Sequence, residues 1–473
     1  VVLHVQDASG SQAQWDALAA MIADLQSSGK RVAVYAETLD GAAYAALCGA
    51  RFIAMPAGGA LDLVGLYTEL TSLGPALQKL GIRPEFIRRE SHKTAPELFT
   101  ESEPSTVQLA QAGELLDRRF AKLIADLTRR SLSPEAARKL VDDGPYSGRA
   151  ALAARLIDEV LFHDQLPARL AELWGGKKPR SPEETFPGIR SVSSSGRVPP
   201  LGLRPLRRPP AVGLVSLEGV IRSGRSGGLP LIGRFCGSES AAEALSRARR
   251  NRRVRSIVIA IDSRGGAALA SEIIWREIRR TADAKPTLIY IDRIAASGGY
   301  LAACGADHVL AAPFSIVGSI GVFAGRFEVQ DLLHRLGVRR APLQRGARAG
   351  LSAKSGPLEA AEREALVAGV EETYQAFLAL VATARRKEMA AVRELAQGKV
   401  YTGAEAQDLG LVDGVSTFEA AIAEAARRAG ISAEDPAVVS IVPPAGSGLM
   451  QRAILKLVQE LGAKRFIARD PFA

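Results

Sequence analysis

Ser297, Gly298 and Gly299 close the run TLIYIDRIAASGGYLAAC over 287–304. Apolar and β-branched residues precede the serine, and small helix-compatible ones follow it. The pattern predicts a strand, a tight turn and a helix, with Ser297 in the turn. Such a turn exposes the hydroxyl, and glycines beside it let a carbonyl approach the backbone. The helix that follows offers free N–H groups to a developing oxyanion. A serine hydroxyl needs a base before it attacks anything. Lysine can serve when burial lowers its pKa, and the candidate is Lys93 in RRESHKTAPELF, residues 88–99. His92 beside it and His308, eleven residues beyond Ser297, are alternative bases.

Two further glycine features belong with the serine. Asp262-Ser263-Arg264-Gly265-Gly266 ends a second apolar run, and strand-end amides at Gly265 and Gly266 can complete an oxyanion hole with Gly298. The alternative is a plain helix-entry turn capped by Ser263 or Asp262. Gly318-Ser319-Ile320-Gly321 is placed to line the substrate cleft.

What must position these groups is an internal repeat. Residues 1–6 (VVLHVQ) align with 257–262 (IVIAID), an offset of 257 − 1 = 256, and the register holds for about ninety residues. YAALCGA at 44–50 falls on YLAACGA at 300–306, and KLGI at 79–82 falls on RLGV at 335–338. GPYSG at 144–148 matches KVYTG at 399–403 after a one-residue slip, and Leu156-Ile-Asp matches Leu411-Val-Asp. Long-period self-similarity of this kind means a duplicated domain. At the serine position the first copy has Gly41, and at the lysine position the second has Ala349. One half carries a nucleophile and the other a base, as a single composite site would require; drift after duplication would leave the same asymmetry.

Each copy alternates short apolar strands with amphipathic helices, which predicts parallel β-α-β units covered on both faces. Four segments are expected: a first copy over 1–174, a Pro/Gly/Arg-rich linker over 175–210, a second copy over 211–435 and a tail over 436–473. The second copy opens with about 45 residues, 211–256, that have no counterpart before Val1. A strand, a helix and an anchor are therefore expected upstream of it. The formal charge of +10 suits an anionic surface. No nucleic-acid signature accompanies it, and the phospholipid surface is the better partner. Cys48, Cys236 and Cys304 read as small core residues rather than a disulfide framework. The five histidines show no metal-ligand spacing, so neither a metal nor a cofactor is expected. No uninterrupted apolar run reaches the roughly 18 residues of a spanning helix.

Taken in order, DSRGG, AASGGY, GSIGV and VYTG…GLVD resemble the signal peptide peptidase A family in its long, duplicated form. The likeness covers nearly the whole chain outside the linker and the tail. It implies an α/β fold of two tandem ClpP/crotonase-like domains, with a Ser–Lys dyad divided between them. Ser297 then takes the nucleophile position and Lys93 that of the general base. It also implies a homo-oligomer on the periplasmic face of the bacterial inner membrane, cleaving released signal peptides and other apolar peptides. Arg264 stands where the family has proline, His92 where it has an aromatic, and Thr94 where it has serine. A crotonase-like acyl-CoA enzyme and an inactive peptide-binding scaffold are the rival readings.

Overall fold

The computed structural model describes residues 1–5, 12–87, 89–90, 92–175, 209–229, 233–353, 356–434 and 436–441. Nearly all of the expected linker and most of the expected tail lie outside the described residues. The chain forms two compact units, Val1–Arg197 with Ala324–Val370, and Val198–Phe323 with Glu371–Ala473.

In the first unit the main sheet runs Val2–Val5, Ala33–Ala36, Phe52–Met55 and Glu159–Val160, all parallel. Ala33 to Ala36 are all buried, as a strand covered on both faces requires. Helix Thr106–Leu127 begins at Ser105, whose hydroxyl accepts the Gln108 N–H at 3.2 Å, and it sends Leu123, Ile124 and Leu127 into the core.

The second unit has the larger sheet, in the order Val400–Thr402, Ile316–Gly318, Thr287–Ala296, Val254–Ser263, Ala211–Glu218 and Val438–Ser440. Val309–Ala311 also pairs with Thr287–Ala296 and carries Gly414–Val415 on its far side. Val438–Ser440, placed by sequence in the tail, is thus a strand of this sheet. The helix Ala360–Arg385 is long and apolar enough to cross a membrane, yet its Phe377, Leu378 and Val381 are buried in the core.

The duplication is visible in hydrogen bonds as well as in strand order. The Tyr44 hydroxyl donates to Leu156 O at 2.6 Å, and the Tyr300 hydroxyl donates to Leu411 O at 2.7 Å. Asp158 accepts the Ile53 N–H at 2.7 Å and pairs with Arg130 at 2.8 Å. Asp413 accepts the Val309 N–H at 2.7 Å and pairs with Arg385 at 2.8 Å. A buried phenol and a carboxylate tie the same elements in both copies, each leaving few polar groups unpaired. Two tandem copies of one α/β domain therefore make up the chain.

One segment departs from the sequence expectation. Residues 324–370 belong to the second copy by register but group with the first unit. There Arg339–Arg345 lies antiparallel on Leu66–Ser72, with Arg340 paired to Glu69 at 2.8 Å. Arg345 adds a two-pronged bond to Asp117, its Nη2 at 3.0 Å from Oδ2. Local pattern could not show this, because a strand does not name its partner.

Candidate active site

Ser297 stands between strand Thr287–Ala296 and helix Gly298–Ala303, as the sequence predicts. Its backbone takes φ +50° and ψ −124°, a region that a residue with a side chain rarely enters. Holding it there costs roughly 1–3 kcal/mol, which the surroundings must offset. Its N–H donates to Gly318 O at 2.8 Å, and its carbonyl accepts the Leu301 N–H at 2.9 Å. The side chain does not cap the helix, so the hydroxyl is not spent on structure.

The first copy solves the same turn without strain. Its helix Gly41–Leu47 starts one residue earlier in register, on Asp40 at φ −83°, whose carboxylate accepts the Ala43 N–H at 2.7 Å. Gly41 has no positive φ. The unusual backbone goes with the serine and not with the fold.

Gly265 and Gly298 are where the turn demands glycine. Gly265 has φ +90°, and a Cβ there would lie 2.6 Å from Gly298 N and 2.9 Å from the Ser297 Cβ. A Cβ on Gly298 would come 2.2 Å from the Ser271 hydroxyl and 3.4 Å from Gly266 N. The DSRGG turn therefore packs directly against the serine. Both glycines had been expected to offer amides, but the Gly265 N–H donates to the Ser263 hydroxyl at 3.1 Å. That hydroxyl in turn donates to Gly219 O at 2.7 Å. Ser263 is thus a brace for the turn and not a helix cap; helix Ala268–Ala284 starts at Ala267 with no side-chain cap. The Gly266 and Gly298 N–H groups have no acceptor among the described residues. Two amides left open beside a strained serine suit a developing negative charge.

Gly318 completes the group, since strand Ile316–Gly318 places it opposite Ala296. Gly318 has φ +104° and Ser319 φ +50°. The Ser319 N–H donates to Lys399 O at 2.6 Å, and Ile320 O accepts the Gly398 N–H at 3.0 Å. Gly321 packs beside Gly398. Ser297, Gly298, Gly265, Gly266 and Gly318 all come together in the second unit. Arg264, exposed, leaves the positive φ of Gly265 in place.

Lys93 belongs to the first unit, exposed in the stretch before helix Glu97–Thr100. Its N–H donates to Glu90 O at 3.3 Å. The next residues are held firmly, with Thr94 and Glu97 buried and a Glu97 carboxylate oxygen accepting the Ser105 N–H at 3.4 Å. His92 is exposed beside it.

His308 is not placed to act on Ser297. Its carbonyl accepts the Ile289 N–H at 2.9 Å, at the far end of the strand that leads to the serine. Eight residues of strand separate the two places, about 26 Å at the usual rise. Burial, followed by the charge of Arg428, lowers its pKa. The three cysteines are buried, and burial pushes the Cys48 thiol up to about 11 and that of Cys304 up to about 12. Neither supplies a thiolate near neutrality.

The model of peptidase family S49 matches residues 24–176 and 279–432, one stretch in each copy. The chloroplastic serine protease SPPA of Arabidopsis thaliana is 29% identical over 441 residues, covering 91% of this chain and 63% of that protein. Protease 4 of Haemophilus influenzae is 26% identical over 421 residues, covering 87% of this chain and 66% of that protein. Protease 4 of Salmonella typhi is 24% identical, covering 98% and 75%. The chain thus spans slightly less than two thirds of the first two relatives. Among solved structures, a variant of the membrane-bound stomatin-specific protease 1510-N matches 50% of this chain and all of its own, at 14% identity and a TM-score of 0.33. A ClpP1 variant from Listeria monocytogenes matches 43% of this chain at 16% identity and a TM-score of 0.28.

Proposed function

The chain belongs to peptidase family S49, and from that premise we propose that it is a serine endopeptidase with Ser297 as nucleophile and Lys93 as general base. The observation that carries the reading is the strained serine, beside two amides that no group among the described residues occupies. Lys93 takes the Ser297 proton while Oγ attacks the peptide carbonyl carbon. The Gly266 and Gly298 N–H groups hold the resulting oxyanion. The lysine then gives its proton to the leaving amine, and the C–N bond breaks to leave an ester on Ser297. Water attacks the ester, gives up a proton to Lys93, and frees the acid. Catalysis here needs no metal.

The substrates proposed are extended apolar peptides, released signal peptides among them, bound along the strand edge near Gly318, Ser319 and Gly321. The place of action proposed is the periplasmic face of a bacterial inner membrane, in a homo-oligomer.

A fluorophosphonate probe tests the chemistry directly. It is expected to add to Ser297 in the full chain and to nothing after Ser297→Ala. An unlabelled chain, or one labelled elsewhere, would favour the acyl-CoA or scaffold reading.

The glycine turn gives a second test. Gly265→Ala puts a Cβ 2.6 Å from Gly298 N at a positive φ. It should depress kcat/KM by about 10²–10³, the usual loss for one oxyanion donor. Unchanged kcat/KM would remove this turn from the site.

A further inference from the structure

The two copies close one turn with different residues. Arg155 precedes Leu156 as Gly410 precedes Leu411, and the N–H of each donates to the carbonyl three residues back at 2.9 Å. Both backbones are left-handed, with φ +58° at Arg155 and +68° at Gly410. Glycine adopts that conformation freely and arginine does not. The first copy thus keeps a long cationic side chain where the backbone favours none.

The surroundings differ in step. In the second copy Arg385 is spent on structure: Nη1 and Nη2 meet Asp413 at 3.0 and 2.8 Å, and Nε donates to Gly410 O at 3.1 Å. The Lys387 amine lies over Gly410, 3.0 Å from where a Cβ would stand. In the first copy Leu132 holds the place of Lys387 in sequence and packs against the core instead. Arg130, the counterpart of Arg385, approaches Asp158 at 2.8 Å and donates to no backbone carbonyl among the described residues. The space that Lys387 covers in one copy stays open in the other, as a cleft of about 430 Å³. That is room for a small organic anion.

Three arginines line the cleft, Arg129, Arg130 and Arg155, against one carboxylate, Asp158. Arg129 pairs with Asp126, which also holds Lys122 at 3.0 Å; the residue before Arg385 in the second copy is Ala384. Arg155 has no ion pair among the described residues. Cations at helix ends often serve the free carbonyls there. Here those carbonyls are already taken. Tyr44 O accepts the Cys48 N–H at 2.8 Å, Thr128 O the Ser131 N–H at 2.9 Å, and Ala151 O the Leu156 N–H at 2.8 Å. The guanidinium of Arg155 and the remaining nitrogens of Arg130 are therefore available to a ligand.

Charge narrows the ligand's chemistry. Three positive groups against one negative leave a surplus of two. A carboxylate would answer one of them. A phosphomonoester carries nearly two negative charges at neutral pH, with three acceptor oxygens suited to planar guanidinium forks. The exposed Ser131 adds a hydroxyl donor at the rim. Buried Ala50 and Ile157, with Leu152 at the rim, form an apolar wall for the esterified group. We propose that this cleft of the first copy binds a phosphomonoester dianion, either a free small molecule or a lipid headgroup such as that of phosphatidic acid. It shares no residue with the candidate active site, so the proposal stands whether or not the dyad does.

Calorimetry on the full chain, with phenyl phosphate as the probe and ionic strength held constant, should find one saturable site. Arg155→Gly and Arg129→Ala each install the residue of the second copy, so both chains should fold. Arg155→Gly should weaken binding by at least about tenfold, and the double variant should weaken it further, as charge-assisted bonds are lost. Because it also relieves a positive φ, Arg155→Gly should unfold no earlier than wild type. No binding to wild type, or equal binding to the double variant, overturns the proposal. Acetate bound as tightly as phenyl phosphate overturns it too, since a dianion is then not what the cleft selects. Phosphatidylcholine vesicles with and without phosphatidic acid tell the source. If wild type sediments with phosphatidic acid and the double variant does not, the dianion is a headgroup. If the two chains behave alike towards vesicles while the arginines govern phenyl phosphate binding, it is a soluble phosphomonoester.

Discussion

Ser297→Ala should lower kcat/KM for a peptide substrate by at least about 10⁴, and Lys93→Ala by a comparable factor, because members of one nucleophilic unit fail together. Neither change should alter the fold. Stability separates the serine from a merely structural residue. Alanine at 297 keeps a side chain at φ +50°, so the strain remains. Glycine relieves it, and Ser297→Gly should be as inactive as the alanine variant yet more stable than wild type by about 1 kcal/mol. Rates and urea midpoints of the three chains check this. If glycine destabilises as much as it inactivates, the backbone at 297 is not held against its preference.

The largest effect on stability should come from Asp413. It accepts both Arg385 nitrogens, at 2.8 and 3.0 Å, and the Val309 N–H at 2.7 Å. The Arg385 side chain is 7% exposed, so Asp413→Ala leaves a guanidinium buried without its counter-charge. A cost of about 3–5 kcal/mol is expected, discounted toward the lower value because Asp413 itself is partly exposed. Burial raises the Asp413 pKa, but the hydrogen bond from Arg385 and that from Val309 outweigh it, and the net shift is downward. A depressed folded pKa makes the stabilisation complete above the unfolded aspartate value of about 3.9. It is lost as pH falls through the folded value. The gap between wild type and Asp413→Asn should therefore be flat from neutrality to about pH 4 and close below it. Urea unfolding across that range measures the gap; a gap that widens in acid would contradict the pairing.

Much of this was legible before any coordinates. The offset of 256 located both copies, and the change from a β-branched run to small residues at 295–299 located the turn. Both are patterns of residue type, which a sequence records directly. The strain at Ser297 was not legible, because φ is set by the fit of DSRGG against the turn and not by the serine. Nor was the use of Gly265: its amide is taken by Ser263, and only packing decides which of two adjacent glycines keeps a free N–H. The segment 324–370 escaped for a different reason. Its own residues look the same whichever copy they cover, and the ion pairs that fix it, Arg340 to Glu69 and Arg345 to Asp117, join residues hundreds of positions apart.

The relaxed turn at Asp40 also bears on history. A mutation from Gly41 to serine would put a hydroxyl inside the first turn of a helix already capped by Asp40, at an ordinary backbone angle. Arming that copy would further require the cap to be undone, and a lysine to enter where Ala349 is fully enclosed. Each change alone brings a cost and no reward. The turn thus holds the two copies to their separate parts: no single substitution gives the first copy a nucleophile of its own.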